Sequence, residues 1–79
     1  MFHLVIWDVD GDGNGGANFY LGHYECSKDK SYLLRRASRS IDNDYAVGAV
    51  VLDENLNTVK SMGMTDSEGA KQYIRTKVT

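Results

Sequence analysis

Asp8, Asp10 and Asp12 occupy every second position of Asp8-Val9-Asp10-Gly11-Asp12-Gly13-Asn14-Gly15-Gly16, directly after the apolar run Phe2-His3-Leu4-Val5-Ile6-Trp7. Carboxylates spaced in this way are the oxygen donors a hard cation needs, and Asn14 adds a carbonyl. The metal set that the spacing offers is Asp8, Asp10, Asp12 and Asn14, with calcium as the cation. The plainer reading is a hairpin loop. Asp and Gly tolerate positive φ and bond to their own backbone, so they fill a long turn without any ligand. The three carboxylates then present negative charge to a basic partner surface. A second group that can do chemistry is Arg35, Arg36 and Arg39, with Lys28 and Lys30 nearby. Guanidinium pairs bidentately with carboxylate or phosphate, so this group fits an acidic protein patch or a nucleic-acid backbone. An ordinary solvated helix face is its plainer reading. Tyr20, Tyr24 and Tyr32 are expected either to stack on bases or to pack a small core.

Two local resemblances come from the acidic stretch. Over about nine residues it resembles EF-hand, dockerin-type and other Asp-Gly-rich calcium loops, with Asp8, Asp10 and Asp12 at the first, third and fifth loop positions and Gly13 at the sharp turn. It departs from them at the twelfth position, where Phe19 replaces the bidentate Glu, and no helix precedes it. Leu4-Val5-Ile6-Trp7-Asp8-Val9-Asp10-Gly11 is similar to the first motif of haloacid-dehalogenase-type phosphatases. That resemblance implies Asp8 as nucleophile and Asp10 as general acid beside a magnesium ion. Asp12 stands where that motif has Thr, and the chain is too short for the doubly wound domain such chemistry needs.

The elements that must carry these residues follow from periodicity. Phe2 to Trp7 reads as a buried strand, and Ala17 to Glu25 as its hairpin partner around the acidic loop. His3 and His23 are then placed to pair across that hairpin. Ser27 to Ile41 changes to a helical period, with Tyr32, Leu33, Ala37 and Ile41 inward and Ser27 or Asp29 as cap. Asp42-Asn43-Asp44 is a turn. Tyr45 to Leu52 is near-continuously apolar, as in a central strand buried on both sides or one with a helix above it. Asp53 to Asn57 is a hairpin loop, and Thr58 to Met62 is the returning strand. Thr65-Asp66-Ser67-Glu68 has the form of a capping box ahead of Ala70, Tyr73, Ile74 and Val78 at helical spacing. The expected fold is α+β in β-β-α-β-β-α order, a four-stranded antiparallel sheet with two helices packed on one face. The expected core is Leu4, Ile6, Phe19, Leu21, Leu33, Val47, Val50, Leu52, Ala70, Tyr73 and Ile74, with Trp7 anchoring the loop mouth.

Length and charge narrow the function classes. Seventy-nine residues make one domain, 1–79, with a modest core that leaves little volume for an enclosed substrate pocket. The net charge of −2 is no polyanion-binding signature. The charge is segregated, however. Residues 1–25 carry Asp8, Asp10, Asp12 and Glu25 with no Lys or Arg, whereas residues 26–41 carry five basic residues against Asp29. Such blocks favour oriented docking. The lone Cys26 permits no internal disulfide, and the N-terminal apolar run is too short for a signal peptide or a span. The chain therefore reads as a cytoplasmic, non-membrane protein. With no complete catalytic constellation, it reads as a non-enzymatic binding module without a cofactor, docking on a macromolecular partner, expected to be a protein. Nucleic-acid binding through Arg35–Arg39 and weak calcium binding are the alternatives. In size and style of charge it resembles small inhibitors encoded by phages and other mobile elements.

Overall fold

Two hairpins, each followed by a helix, build the chain in a computed structural model that describes residues 1–11, 17–43 and 46–78. Strand β1 (Phe2–Gly11) pairs with β2 (Ala17–Ser27), and helix α1 (Lys30–Asp42) follows. Strands β3 (Gly48–Leu52) and β4 (Thr58–Gly63) precede helix α2 (Ser67–Val78). The four strands form one sheet in the order β2-β1-β3-β4, and every neighbouring pair is antiparallel. The order of elements and the four-stranded antiparallel sheet are as the periodicity predicts. Among the described residues, no helix is long and apolar enough to cross a membrane.

The sequence reading puts both helices on one face of the sheet; they instead cover opposite faces. Leu4 and Ile6 of β1 join Ala49 and Val51 of β3 under Leu33 and Ala37 of α1. The alternate residues Val5 and Trp7 join Val50 and Leu52 under Ala70 and Ile74 of α2. Successive strand residues point to opposite faces. Two central strands that are apolar at both parities therefore need a cover on each side. This arrangement also corrects the core. Val5, Ala37, Ala46, Ala49 and Val51 are buried, and Trp7 is only 4% exposed beneath α2 rather than anchoring a loop. Leu21, Val47 and Tyr73 are only half-buried, and the Phe19 side chain lies outside the described residues.

Local chemistry sets the boundaries. The α1 cap is Asp29, whose Oδ1 accepts from the Tyr32 amide at 3.1 Å, while Ser27 Oγ accepts from the Asp29 amide at 3.0 Å. The α2 cap is Asp66 rather than Thr65: its Oδ1 accepts from the Gly69 amide at 3.1 Å. A carboxylate is the stronger acceptor for orphan amides and complements the positive helix end. The β3–β4 loop is closed by Asp53, whose Oδ1 accepts from the Asn55 and Asn57 amides. Where β3 enters from α1, Gly48 lies opposite Gly63, and Met64 donates its amide to Val47 at 2.9 Å.

Strand β1 runs four residues past its predicted end. Asp8, Asp10 and Gly11 lie in the ladder opposite Tyr20, Asn18 and Ala17, so the first half of the supposed acidic loop is extended strand. Pairing to β2 overrides the weak strand propensity of Asp and Gly. Beyond Trp7, β1 has no β3 partner, and Asp8–Gly11 with β2 form a two-stranded ribbon that extends past the rest of the sheet.

Candidate functional site

The α1 face gathers most of the polar residues picked out from the sequence. A β-bulge between Ile6 and Trp7 leaves Gly22 as an extra residue of β2. Beside it lies a cleft of about 230 Å³, lined by Ile6, Asp8, Gly22, His23, Arg36 and Ser40. The missing side chain at Gly22 keeps one wall open, since a Cβ there would lie 3.4 Å from Asp8 Cβ. Asp8 and Arg36, which are 28 positions apart in the chain, thus line one cleft with a carboxylate and a guanidinium. The sequence offers Asp8 as an acidic contact residue and Arg36 as a basic one; the fold brings the two to one cleft.

Arg36 is held in place. Its Nε lies 2.7 Å from Glu25 Oε1, and Tyr32, one helical turn earlier, donates its hydroxyl to Glu25 Oε2 at 2.7 Å. Oε1 is closed to solvent and lacks an aligned hydrogen bond, so charge contact with Arg36 is what compensates it. His23 Nε2 stands 3.8 Å from the same oxygen. The bond to Glu25, together with burial, raises the Tyr32 phenol above its ordinary range. Glu25 therefore clamps two residues of α1 onto β2. Tyr32 is exposed rather than packed in the core, and its hydroxyl acts as a hydrogen-bond donor. Sequence reasoning missed the clamp because Glu25, Tyr32 and Arg36 meet across a strand–helix junction, where no single period relates them.

Arg35 and Arg39 differ from Arg36. They are exposed one helical turn apart, and neither makes an ion pair among the described residues. They line a shallow groove of about 580 Å³ with Leu34, Ser38, Asp42 and Asn43. A second hollow of about 270 Å³ joins Arg36, Arg39, Ser40 and Asn43. The result is a hydrogen-bond-donor surface along α1, bordered by Asp8 at the cleft. Asp10 has its place in the β1–β2 ladder, whereas Asp12 and Asn14 lie outside the described residues. Among the described residues, no three His, Cys, Asp or Glu side chains converge as a metal set.

His3 and His23 do not pair. His3 lies opposite Cys26 and His23 opposite Ile6 in the ladder, which places them on opposite faces. On the α2 face, His3 Nδ1 lies 2.8 Å from the Tyr24 hydroxyl, and the two rings stack at 5.9 Å. Tyr24 meets Tyr73 of α2 edge-on at 5.6 Å, and Lys77 Nζ sits 5.3 Å above the Tyr73 ring. Burial, aided by the N-terminal ammonium, lowers the His3 pKa below its usual 6.5. Burial first, and then Cys26, pushes Tyr24 up to about 12.

These shifts carry a pH signature. Between the depressed folded value of His3 and its unfolded value of 6.5, the unfolded chain binds the proton better, so stability falls as pH drops through that window. Tyr24 acts in the opposite sense: its contribution is full below 10 and is lost as pH rises towards about 12. The melting temperature, followed by circular dichroism, is expected to be highest between these limits. His3→Gln should flatten the fall between pH 7 and 5.5; an unchanged fall would remove His3 as its source.

No protein-family model matches the chain, and neither curated proteins nor solved structures give a match.

Proposed function

We propose that this chain is a non-enzymatic docking module whose binding surface is the outer side of α1 together with the acidic end of the β1–β2 hairpin. The observation that supports this most is the contrast among the three arginines. Glu25 neutralises Arg36, while Arg35 and Arg39 stand exposed without an ion-pair partner among the described residues. Two exposed guanidiniums one turn apart on a helix fit carboxylates on an acidic protein surface. Asp8 supplies the opposite sign at the rim of the cleft, and with Asp10 and Asp12 of the same sequence stretch it meets basic residues of the same partner. Docking of this kind suits an inhibitor that blocks a larger protein by occupying its surface.

Affinity capture from the cells that naturally express the chain tests this reading. The wild type is expected to retain a stoichiometric protein, with binding about a hundredfold weaker for Arg35→Glu with Arg39→Glu, as two lost charge-assisted contacts imply. Asp8→Asn with Asp10→Asn and Asp12→Asn should weaken it less. Calcium added to the wild type should change neither result; capture that depends on calcium would move the assignment to a metal-binding module. A captured nucleic acid in place of a protein, released steeply by salt, would move it to nucleic-acid binding through Arg35–Arg39. Capture of no stoichiometric partner would end the docking reading.

A further inference from the structure

On the face opposite α1, His3 is 6% exposed, and it is the only buried polar side chain among the described residues. It is the first link of a chain that crosses three elements: His3 on β1, Tyr24 on β2, Tyr73 on α2, with Lys77 above the last ring. The remaining hold of α2 on the sheet includes Ala70 and Ile74, both fully buried against Val5, Trp7, Val50 and Leu52. The segment 64–66 tethers the helix through the Met64 amide on Val47 and the Asp66 cap. No strand pairing has to break for α2 to lift, because all the sheet ladders run between β1, β2, β3 and β4.

We propose that α2 is a proton-operated cover: protonation of His3 favours a state in which α2 lifts off the sheet and bares Trp7 and its apolar neighbours. The groups around His3 set the sign. The N-terminal ammonium at the start of β1 opposes a second positive charge, Asp53 of the β3–β4 loop favours it, and burial opposes it most strongly. On β2, Cys26 lies opposite His3 in the ladder, and Tyr24 offers its phenol, whose raised pKa keeps it uncharged at neutral pH. On α2, Tyr73 meets Tyr24 edge-on and carries the Lys77 ammonium over its ring, and the helix also bears Glu68, Lys71 and Arg75. Lifting α2 with Tyr73 relieves the burial penalty, the largest of these, since it lets water reach the imidazolium. Leu4, Ile6, Ala49 and Val51 under α1 take no part, so the sheet and α1 persist while α2 moves.

The test is hydrogen exchange followed by NMR on the wild-type chain between pH 8 and 5, with the His3 ring titrated in the same samples. After correction for intrinsic exchange, amides of 70–78 are expected to open about tenfold more per pH unit below 6.5, levelling off at the His3 midpoint. Amides of β1 and β3, which open only by global unfolding, should follow that pH slope while staying better protected than 70–78 throughout. Trp7, the single tryptophan, should become quenchable by acrylamide in step. His3→Gln, neutral at every pH, should abolish the response. If that variant does not fold, coincidence of the α2 opening curve with the His3 titration decides alone. Equal protection of α2, β1 and β3 across the range would overturn the proposal, as would α2 opening that ignores the His3 midpoint.

Discussion

Gly48→Ala is expected to cost the protein at least about 3 kcal/mol, a large share of the roughly 4–12 kcal/mol that a domain of this length has. A Cβ at Gly48 would lie 1.6 Å from the Met64 carbonyl oxygen and 2.4 Å from its carbon, both backbone atoms that no rotamer change can move. Relief requires β4 to swing away from β3, which breaks the Met64 amide bond to Val47 and unseats the entry to α2. Gly63, opposite it, is constrained twice: its φ is 68°, and a Cβ would fall 2.3 Å from the Val47 oxygen. Gly22→Ala is the matched control, because its new methyl would meet Asp8 Cβ at an ordinary 3.4 Å. Urea unfolding followed by circular dichroism should therefore separate the glycines, with Gly22→Ala within about 1 kcal/mol of the wild type. A Gly48→Ala protein as stable as Gly22→Ala would mean that the Gly48 and Met64 backbones do not approach this closely.

Trp7→Ala is the second large effect. The ring is 4% exposed and lies among Val5, Val50, Leu52, Ala70 and Ile74, so its removal leaves a cavity walled by both the sheet and α2. Truncation of a buried Trp costs about 3–5 kcal/mol. Tyr20→Ala, in the neighbouring strand and 45% exposed, should cost less than about 1 kcal/mol. The pair discriminates between two positions for Trp7. If the indole served only the hairpin loop, both substitutions would be mild and α2 would keep its protection. A loss below about 1 kcal/mol for Trp7→Ala would sink the core assignment.

Much of the fold was legible because its signals are local. Asp29 and Ser27 announce α1, the Leu33–Ala37 spacing gives its inner face, and Asp53 to Asn57 marks a turn. The opposite-face arrangement was legible in part. Val50, Val51 and Leu52 imply a strand buried on both sides, but periodicity does not say which helix covers which parity. The extension of β1 was hidden because Asp and Gly carry turn propensity, and only pairing with β2 reverses it. At the candidate site, residue types identified Arg35, Arg36 and Arg39 but could not tell the clamped arginine from the two exposed ones. That difference depends on Glu25, eleven positions before Arg36, on a neighbouring strand.

The position of β1 between β2 and β3 has a consequence for how the chain folds. Each half of the molecule is a hairpin plus a helix, and the ladder that joins them pairs Trp7 with Gly48 and His3 with Leu52, more than forty residues apart. Neither half closes a core by itself. The layer beneath α1 takes Ala46, Ala49 and Val51 from the second half, and the layer beneath α2 takes Val5 and Trp7 from the first. Each hairpin forms at low entropic cost, but neither gains its hydrophobic reward until the two dock. Folding should therefore be a single cooperative step limited by that docking. The two halves, made as separate peptides 1–44 and 45–79, should be disordered alone and acquire structure only when mixed.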